Sequence, residues 1–313
     1  MEDYELLKFS YNCLKDPKIK NCFLYCVLYP EDFEISKEEL IEYWIVEGLI
    51  DEMETRQATY SMGHAIFNRL ENICLLKSCQ GGTHVKMPDL VRDMALYITS
   101  TRYLVQAGKQ LKELPKQEWK GDVEKVSLMQ NNIKEVSFDA ALPKCSTLST
   151  LLLQRNQIER IHESFFKLMK GIQILDLSYN VGIKDLPDSI SDLENITALL
   201  LHGCTCLEYV PSLAKLRALK LDLGGTSIKE VPRGTEILVH LSYLDLNTKS
   251  LGLEIPDGML GRLSRLQYLK SLNDRVLFLE DATDLKLCHH YQHQRLLASF
   301  LVSNVFRYIN VTK

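Results

Sequence analysis

The sequence predicts an α+β chain built of two unlike parts, a helical module with a small hairpin and then an α/β repeat solenoid. Three observations carry that prediction. Apolar residues keep a helical spacing from Tyr4 to about Ile98, a Gly81-Gly82 turn signal interrupts that stretch, and a leucine pattern returns every 22 to 25 residues from about residue 122 onward. At 313 residues and 46% hydrophobic content the chain can bury a sizeable core, and its length suits two domains.

Leu6, Leu7, Phe9, Cys13 and Leu14 form a first amphipathic stretch, and Ile19, Cys22, Phe23, Cys26 and Val27 a second that Pro30 closes. Ser36 followed by Glu39 makes a capping box ahead of Leu40, Ile41, Trp44 and Ile45, and Gly48 stands where that third helix should stop. A fourth helix, Thr59 to Cys74, places Met62, Ala65, Ile66, Leu70 and Ile73 on one face. Leu75 to Met87 reads as two short strands around Gly81-Gly82. Pro88 then opens a last helix, where its missing N–H costs nothing, with Leu90, Val91, Met94, Ala95 and Ile98 facing inward and Asp89, Arg92 and Asp93 forming its polar face. Several helices and one hairpin describe a winged-helix-like domain.

Beyond residue 122 the template is leucine-x-x-leucine-x-leucine-x-x-asparagine, the leucine-rich-repeat pattern. Six units fit it, with Asn131, Asn156, Asn180, Cys204, Thr226 and Lys249 at the cap position, spaced 25, 24, 24, 22 and 23 residues apart. Each unit supplies a short strand whose leucines enter a shared core, while the asparagine side chain bonds the turning backbone. Residues between the core leucines then face out from the concave sheet. They are Ser127, Met129 and Gln130, then Gln154 and Arg155, then Asp176, Ser178 and Tyr179. His202, Asp222, Asp245 and Asn247 continue the set, and all twelve are the expected ligand-facing positions. Pro187, Pro211, Pro232 and Pro256 recur after the convex segment, which suits a turn without a helix.

Composition narrows the function classes. Residues 1–100 hold 17 acidic and 10 basic side chains, net −7, which leaves +3 for the remainder of a chain whose formal charge is −4. A winged-helix module at −7 repels a phosphate backbone, so nucleic acid is not an expected partner. No segment is apolar for long enough to span a bilayer, and the start lacks a secretory signal, which points to the cytoplasm. Nine scattered cysteines read as reduced thiols, with Cys22 and Cys26 as core residues of a helical face and not a metal pair, since no second ligand pair lies at zinc-site spacing. His289, His290 and His293 read as solvated histidines, so no metal is expected. No catalytic constellation is recognisable from spacing, and the chain is not expected to be an enzyme.

Five segments carry a resemblance. Leu7 to Tyr11, Lys20 to Cys26, Tyr29 to Asp32, Leu40 to Gly48 and Val85 to Ala95 resemble, in order, motifs of plant intracellular nucleotide-binding leucine-rich-repeat disease-resistance proteins of the coiled-coil type. The likeness covers about residues 4–272. By that resemblance Met87, Pro88 and Asp89 stand at a nucleotide-sensing motif, in a degenerate form, because Pro88 replaces the histidine that helps sense ADP. The intact family holds ADP or ATP, but these 313 residues contain no phosphate-binding loop, so the reading is a fragment without the nucleotide-binding front half and without a cofactor of its own.

The expected layout is a winged-helix-like domain of the NB-ARC region over 1–105, a linker over 106–122, repeats over 123–272, and an irregular cap or appended tail over 273–313. The resemblance implies defence-related recognition of a protein, either a pathogen effector or an effector-modified host protein, through the repeats. The alternatives are a truncated regulatory partner of other immune receptors and a product without function.

Overall fold

Local capping rules set the helical part. The computed structural model describes residues 2–53, 55–137, 145–250, 252–271 and 275–278. After α1 (Glu2–Asn12), the Asp16 carboxylate accepts from the Lys18 N–H at 2.8 Å and Pro17 takes the first position of α2 (Pro17–Tyr25), which tightens into a 3-10 turn, Cys26–Leu28, before Pro30. Ser36 closes a two-residue strand, β1 (Ile35–Ser36), and caps α3 (Lys37–Val46) by accepting from the Glu39 N–H at 3.4 Å. Only half of the capping box forms, because the Glu39 carboxylate accepts from the Tyr29 hydroxyl at 3.1 Å. Gly48 ends the helix at φ 69°, with the Leu49 N–H reaching the Trp44 carbonyl and the Gly48 N–H the Ile45 carbonyl, a Schellman stop.

Helix α4 (Arg56–Asn72) follows, capped by Thr55, and then β2 (Lys77–Cys79) and β3 (His84–Lys86) flank Gly81 and Gly82 as expected. The antiparallel order β1-β3-β2 adds a third strand that is too short for alternation to reveal. The last helix of this part is α5 (Asp89–Thr99), with Pro88 as its N-cap.

On two helices, side chains differ from the expected faces. The buried stripe of α4 is Thr59, Gly63, Ile66, Phe67 and Leu70, while Met62 and Ala65 are exposed, because Phe67 packs on Trp44 at 4.6 Å between ring centroids and turns the helix accordingly. On α5, Leu90 is exposed and Arg92 is buried, its guanidinium donating to the Val27 carbonyl at 3.3 Å and the Tyr29 carbonyl at 3.0 Å. That charged end ties off carbonyls left open at the turn after α2. Cys22 and Cys26 are core residues, and burial raises both thiols above the usual range.

The solenoid opens with β4 (Tyr103–Val105), β5 (Lys125–Ser127), the convex β6 (Glu135–Val136), β7 (Thr150–Leu152), the convex β8 (Arg160–Ile161), α6 (Glu163–Lys167) and β9 (Ile174–Asp176). It continues with β10 (Ala198–Leu200), β11 (Lys220–Asp222), β12 (Tyr243–Asp245), α7 (Met259–Arg262), β13 (Tyr268–Ser271) and β14 (Arg275–Phe278). One sheet runs β14-β13-β12-β11-β10-β9-β7-β5-β4, parallel except for the antiparallel β13–β14 pair, and β6 pairs with β8 on the convex side. Two boundaries move. Tyr103–Val105 pairs with β5 and is the first strand of the repeat sheet, and the expected linker contributes Leu114 and Trp119 to the solenoid core. Short helical turns follow Pro187, Pro232 and Pro256, where a plain turn was expected, since proline starts a helical turn as readily as it ends one. The expected tail, apart from β14, and His289, His290 and His293 lie outside the described residues.

Cap asparagines fasten each repeat to the one before it. Asn180 is fully buried, donates to the Leu177 carbonyl at 2.7 Å and the Leu153 carbonyl at 3.0 Å, and accepts from the Ile158 N–H at 3.2 Å. Asn156 repeats the pattern with Leu153, Leu128 and Ile133, and Asn131 with Leu128, Gln106 and Leu111. Cys204 and Thr226 keep one bond each, to the Leu177 and Leu223 carbonyls, and Lys249 is exposed. Asn180→Ala is therefore expected to cost about 2–4 kcal/mol in urea denaturation and Lys249→Ala less than about 0.5 kcal/mol. Equal, negligible losses would remove the cap argument.

Candidate functional site

The concave face of the sheet is where ligands were expected, and the chain's own winged helix lies on its first half. Strand positions in register, Thr150, Ile174 and Ala198, are buried, and Met129, Leu152, Ile174, Ala198 and Leu200 join the hydrophobic core of the helical domain. Helix α3 spans the contact. The Ser127 hydroxyl donates to the Leu28 carbonyl at 2.6 Å, the Thr197 hydroxyl to the Val46 carbonyl at 3.3 Å, and the Tyr43 hydroxyl to the Asp176 carboxylate.

Ion pairs flank this apolar patch. At one end Lys125 meets Glu47 at 2.5 Å, with the Thr150 hydroxyl on the other carboxylate oxygen. At the other end Lys220 meets Glu42 at 2.7 Å, and Arg56 and the Tyr60 hydroxyl also bond that carboxylate. The Arg56 guanidinium carbon lies 5.3 and 5.2 Å from the rings of Tyr243 and Tyr268, which stack at 4.2 Å, and the Lys220 ammonium lies 4.0 Å from the Tyr243 ring centroid. Burial alone would raise the Glu42 carboxyl, but Lys220 and Arg56 hold it down to about 2. The opposite net charges of the two parts thus converge on Glu42 of α3, Glu47 at its C-terminal cap and two lysines of the sheet.

Between α3, α4 and the concave strands remains a cleft of about 880 Å³. The twelve expected ligand positions divide by their distance from the helical domain. Ser127, Met129, Gln154, Asp176, Ser178 and Asp245 are buried, while Gln130, His202, Asp222 and Asn247 are half-buried. Arg155 and Tyr179 are exposed on the rim, the guanidinium 4.4 Å from the ring centroid, and the Tyr179 ring meets His202 edge-on at 5.4 Å. Of the sensing motif, Met87 is buried in the helical core, Pro88 is half-buried and Asp89 is exposed at the start of α5.

Three of the four strands from β9 to β12 place an acid at the same position in the cleft, and β10 places Leu200 there. Asp176, Asp222 and Asp245 each turn one carboxylate oxygen onto the N–H two residues ahead, of Ser178, Gly224 and Asn247, at 2.8, 3.0 and 2.8 Å. Asp222 also holds His202 Nδ1 at 3.2 Å, a contact that raises the His202 value against the opposing effect of burial. Burial, followed by the charge of Asp222, pushes the Asp245 carboxyl up to about 6. Burial raises Asp176 as well, opposed by its bonds to Ser178 and Tyr43. Gln154, 5% exposed, has no partner for either amide atom among the described residues. The sequence reading missed Glu42, Glu47, Arg56, Lys125 and Lys220 as site residues. A lysine at the first position of a repeat strand was the available signal, since that position points into the concave face.

Two outcomes follow. Lys125→Met leaves Glu47 buried beside a hydroxyl alone and is expected to cost about 2–4 kcal/mol by chemical denaturation, most of it regained in Lys125→Met with Glu47→Gln. A double variant no more stable than the single one would refute the pairing. The Asp245 carboxyl sits above its ordinary value of 3.8, so the folded chain holds this proton more tightly than the unfolded chain, and stability is lost as pH rises through about 6. Asp245→Asn should therefore be about 1–2 kcal/mol more stable than the parent at pH 7.5, with the gap closing by pH 4. Glu42 runs the other way, because its depressed value stabilises above pH 4.5 and that contribution fades toward pH 2.

Comparison with known proteins agrees with this architecture. Residues 28–95 match the disease resistance protein winged helix domain, and residues 146–205 match the leucine rich repeat. Disease resistance protein UNI of Arabidopsis thaliana is 37% identical over 299 residues, covering 94% of this chain and 30% of its own length. Disease resistance proteins RPS5 and RFL1 of the same plant are 40% and 39% identical, covering 86% and 88% of this chain and 31% and 32% of theirs. The chain thus spans about a third of each relative. Over most of its length the chain is thus similar to plant disease-resistance proteins and carries their winged helix domain and leucine rich repeat.

Proposed function

We propose that the chain recognises a protein, a pathogen effector or a host protein modified by one, through the open part of its concave face in the plant defence response. The observation that supports this most directly is the cleft at the domain seam, with Arg155 and Tyr179 exposed on its rim and His202 behind them. A rigid sheet carrying an aromatic and an arginine beside a partly desolvated floor has the composition of a binding hot spot. The mode of action is binding and not turnover. Among the described residues no helix is long and apolar enough to cross a membrane, and a cytoplasmic setting belongs to this proposal. A nucleotide switch would depend on parts of the relatives that these residues do not include, and sensing by Met87, Pro88 and Asp89 stays within that wider proposal.

A second reading, a regulatory partner of other receptors, is favoured by Phe9 on α1 and Leu90 and Tyr97 on α5. They are 66%, 58% and 74% exposed on two packed helices and offer an apolar surface to another domain.

Affinity capture from infected and uninfected leaf tissue, with the parent chain and with Arg155→Ala and Tyr179→Ala, separates the readings. Recognition through the rim expects a partner depleted about tenfold or more by each substitution. Recovery insensitive to both would sink that reading. Recovery of receptors, lost on Leu90→Ser with Tyr97→Ser, would favour the regulatory one.

A further inference from the structure

Among the described residues that line the cleft, acids outnumber lysines and arginines. Glu42 uses Lys220 and Arg56, both of which are committed to it and to the tyrosine rings around it. Deeper along the sheet, one oxygen each from Asp222 and Asp245 and a His202 nitrogen lie within 4.8 Å of one another, contributed by three neighbouring repeats. Gly224 leaves room for this convergence. A Cβ there would stand 2.6 Å from His202 Nδ1 and 2.9 Å from Asp245 Oδ2. Lys270, in register with Asp245 on the next strand, opposes the effect that Asp222 has on Asp245, and the effect of Asp222 is the larger.

Gln154 supplies an independent sign of a ligand. Its amide is buried on the wall of the same cleft with neither the oxygen nor the nitrogen bonded, a condition that costs about 1–3 kcal/mol per group unless something fills it. Gln154, Ser178 and His202 hold equivalent positions in consecutive repeats. The amide thus lies two strand spacings, about 10 Å, from His202 and three and four spacings, about 14 to 19 Å, from Asp222 and Asp245, the reach of about three to six residues of extended chain.

From these two features we propose that the seam cleft binds an extended peptide segment of a partner protein, with an arginine or lysine side chain seated among His202, Asp222 and Asp245 and the backbone amide of a nearby residue paired with Gln154. This rests on the reading that the concave face recognises a protein, and it names the chemistry recognised. Gln154 decides among cations. A metal ion held by the acids lies too far away to reach the Gln154 amide, and a polyamine offers N–H donors but no acceptor for the Gln154 NH₂, whereas a peptide bond presents both groups. The raised Asp245 carboxyl fits the same picture, since an unliganded acid pair takes up a proton where a bound cation would stand.

The test uses the full chain and a fluorescein-labelled Gly-Gly-Arg-Gly-Gly peptide amide, with citrulline in place of arginine as the neutral isostere, followed by polarisation. The arginine peptide is expected to bind about tenfold or more tightly than the citrulline one at pH 7.5. Its affinity should fall below pH 6, and Asp222→Asn and Asp245→Asn should each remove most of the preference while leaving thermal unfolding cooperative. Gln154→Leu should weaken both peptides alike. Equal binding of the two peptides, or no binding of either, overturns the proposal. So does binding of Mn²⁺, Zn²⁺ or Ca²⁺ that His202→Ala abolishes while no peptide binds, which would make the group a metal site. A captured partner that depends on Arg155 and Tyr179 but not on Asp222 or Asp245 would sink this inference and leave recognition through the rim standing.

Discussion

Two buried lysines on the inner face of a parallel sheet are the constraint around which the molecule is arranged. Lys125 and Lys220 occupy equivalent strand positions at the two ends of the row Thr150, Ile174 and Ala198, and each is 8% exposed. A parallel sheet is stable when both faces are covered, and the convex segments of the repeats cover only one. The helical domain covers the other by laying α3 across the strands. It can do so only because Glu47 and Glu42 arrive where the lysines lose their water. An unpaired ammonium there would cost several kcal/mol, more than the apolar contacts between Leu152, Leu200 and the helices could readily offset. The pairs therefore fix how the domains meet, while the apolar patch between them supplies most of the favourable energy of contact.

That docking creates the polarity of the cleft. Near α4 the charges are matched, with Glu42, Arg56 and Lys220 closed into one network and roofed by Tyr243 and Tyr268. Beyond that network the acids continue through Asp222 and Asp245, which face His202 and Lys270. One arrangement thus serves two ends. The matched half holds the domains together, and the more acidic half retains electrostatic potential that a ligand can use. A site built this way is preorganised by the fold itself, because each acid is turned by a backbone N–H of its own repeat.

The sequence was most informative where one residue type answers one local demand. Asn131, Asn156 and Asn180 could be recognised because an amide, with both donor and acceptor, bonds that turn most completely. Gly48 and Ser36 marked the ends of α3 by the same logic. What sequence periodicity could not show was contact between distant segments. Leu152, Ile174 and Leu200 are apolar residues among the repeat leucines, and nothing near them in the chain says that α3, about 130 residues earlier, covers them. Arg92 failed for a related reason. Placed among Asp89 and Asp93 it looks solvated, and only the carbonyls of Val27 and Tyr29 explain its burial. The site was legible as a set of positions on one face. Its division into a covered half and an open half depends on tertiary packing and was not.

The rim of the cleft carries one more sign of that division. The residue just before the cap position adopts a left-handed backbone in five successive repeats, at Gln130, Arg155, Tyr179, Gly203 and Gly225, with φ between 54° and 69°. Glycine takes this conformation freely, whereas a side chain there costs on the order of 1 kcal/mol or more. The first three repeats bear that cost, and the next two avoid it. Geometry supplies the reason at one junction: a Cβ on residue 203 would lie 2.7 Å from the Tyr179 ring, so the ring takes the space that a larger residue would need. With Arg155 stacked on its other side, Tyr179 is held flat along the rim by neighbours on both sides. The strain at Arg155 and Tyr179 thus yields two large side chains in fixed positions at the mouth of the cleft, and the glycine at 203 makes that placement possible.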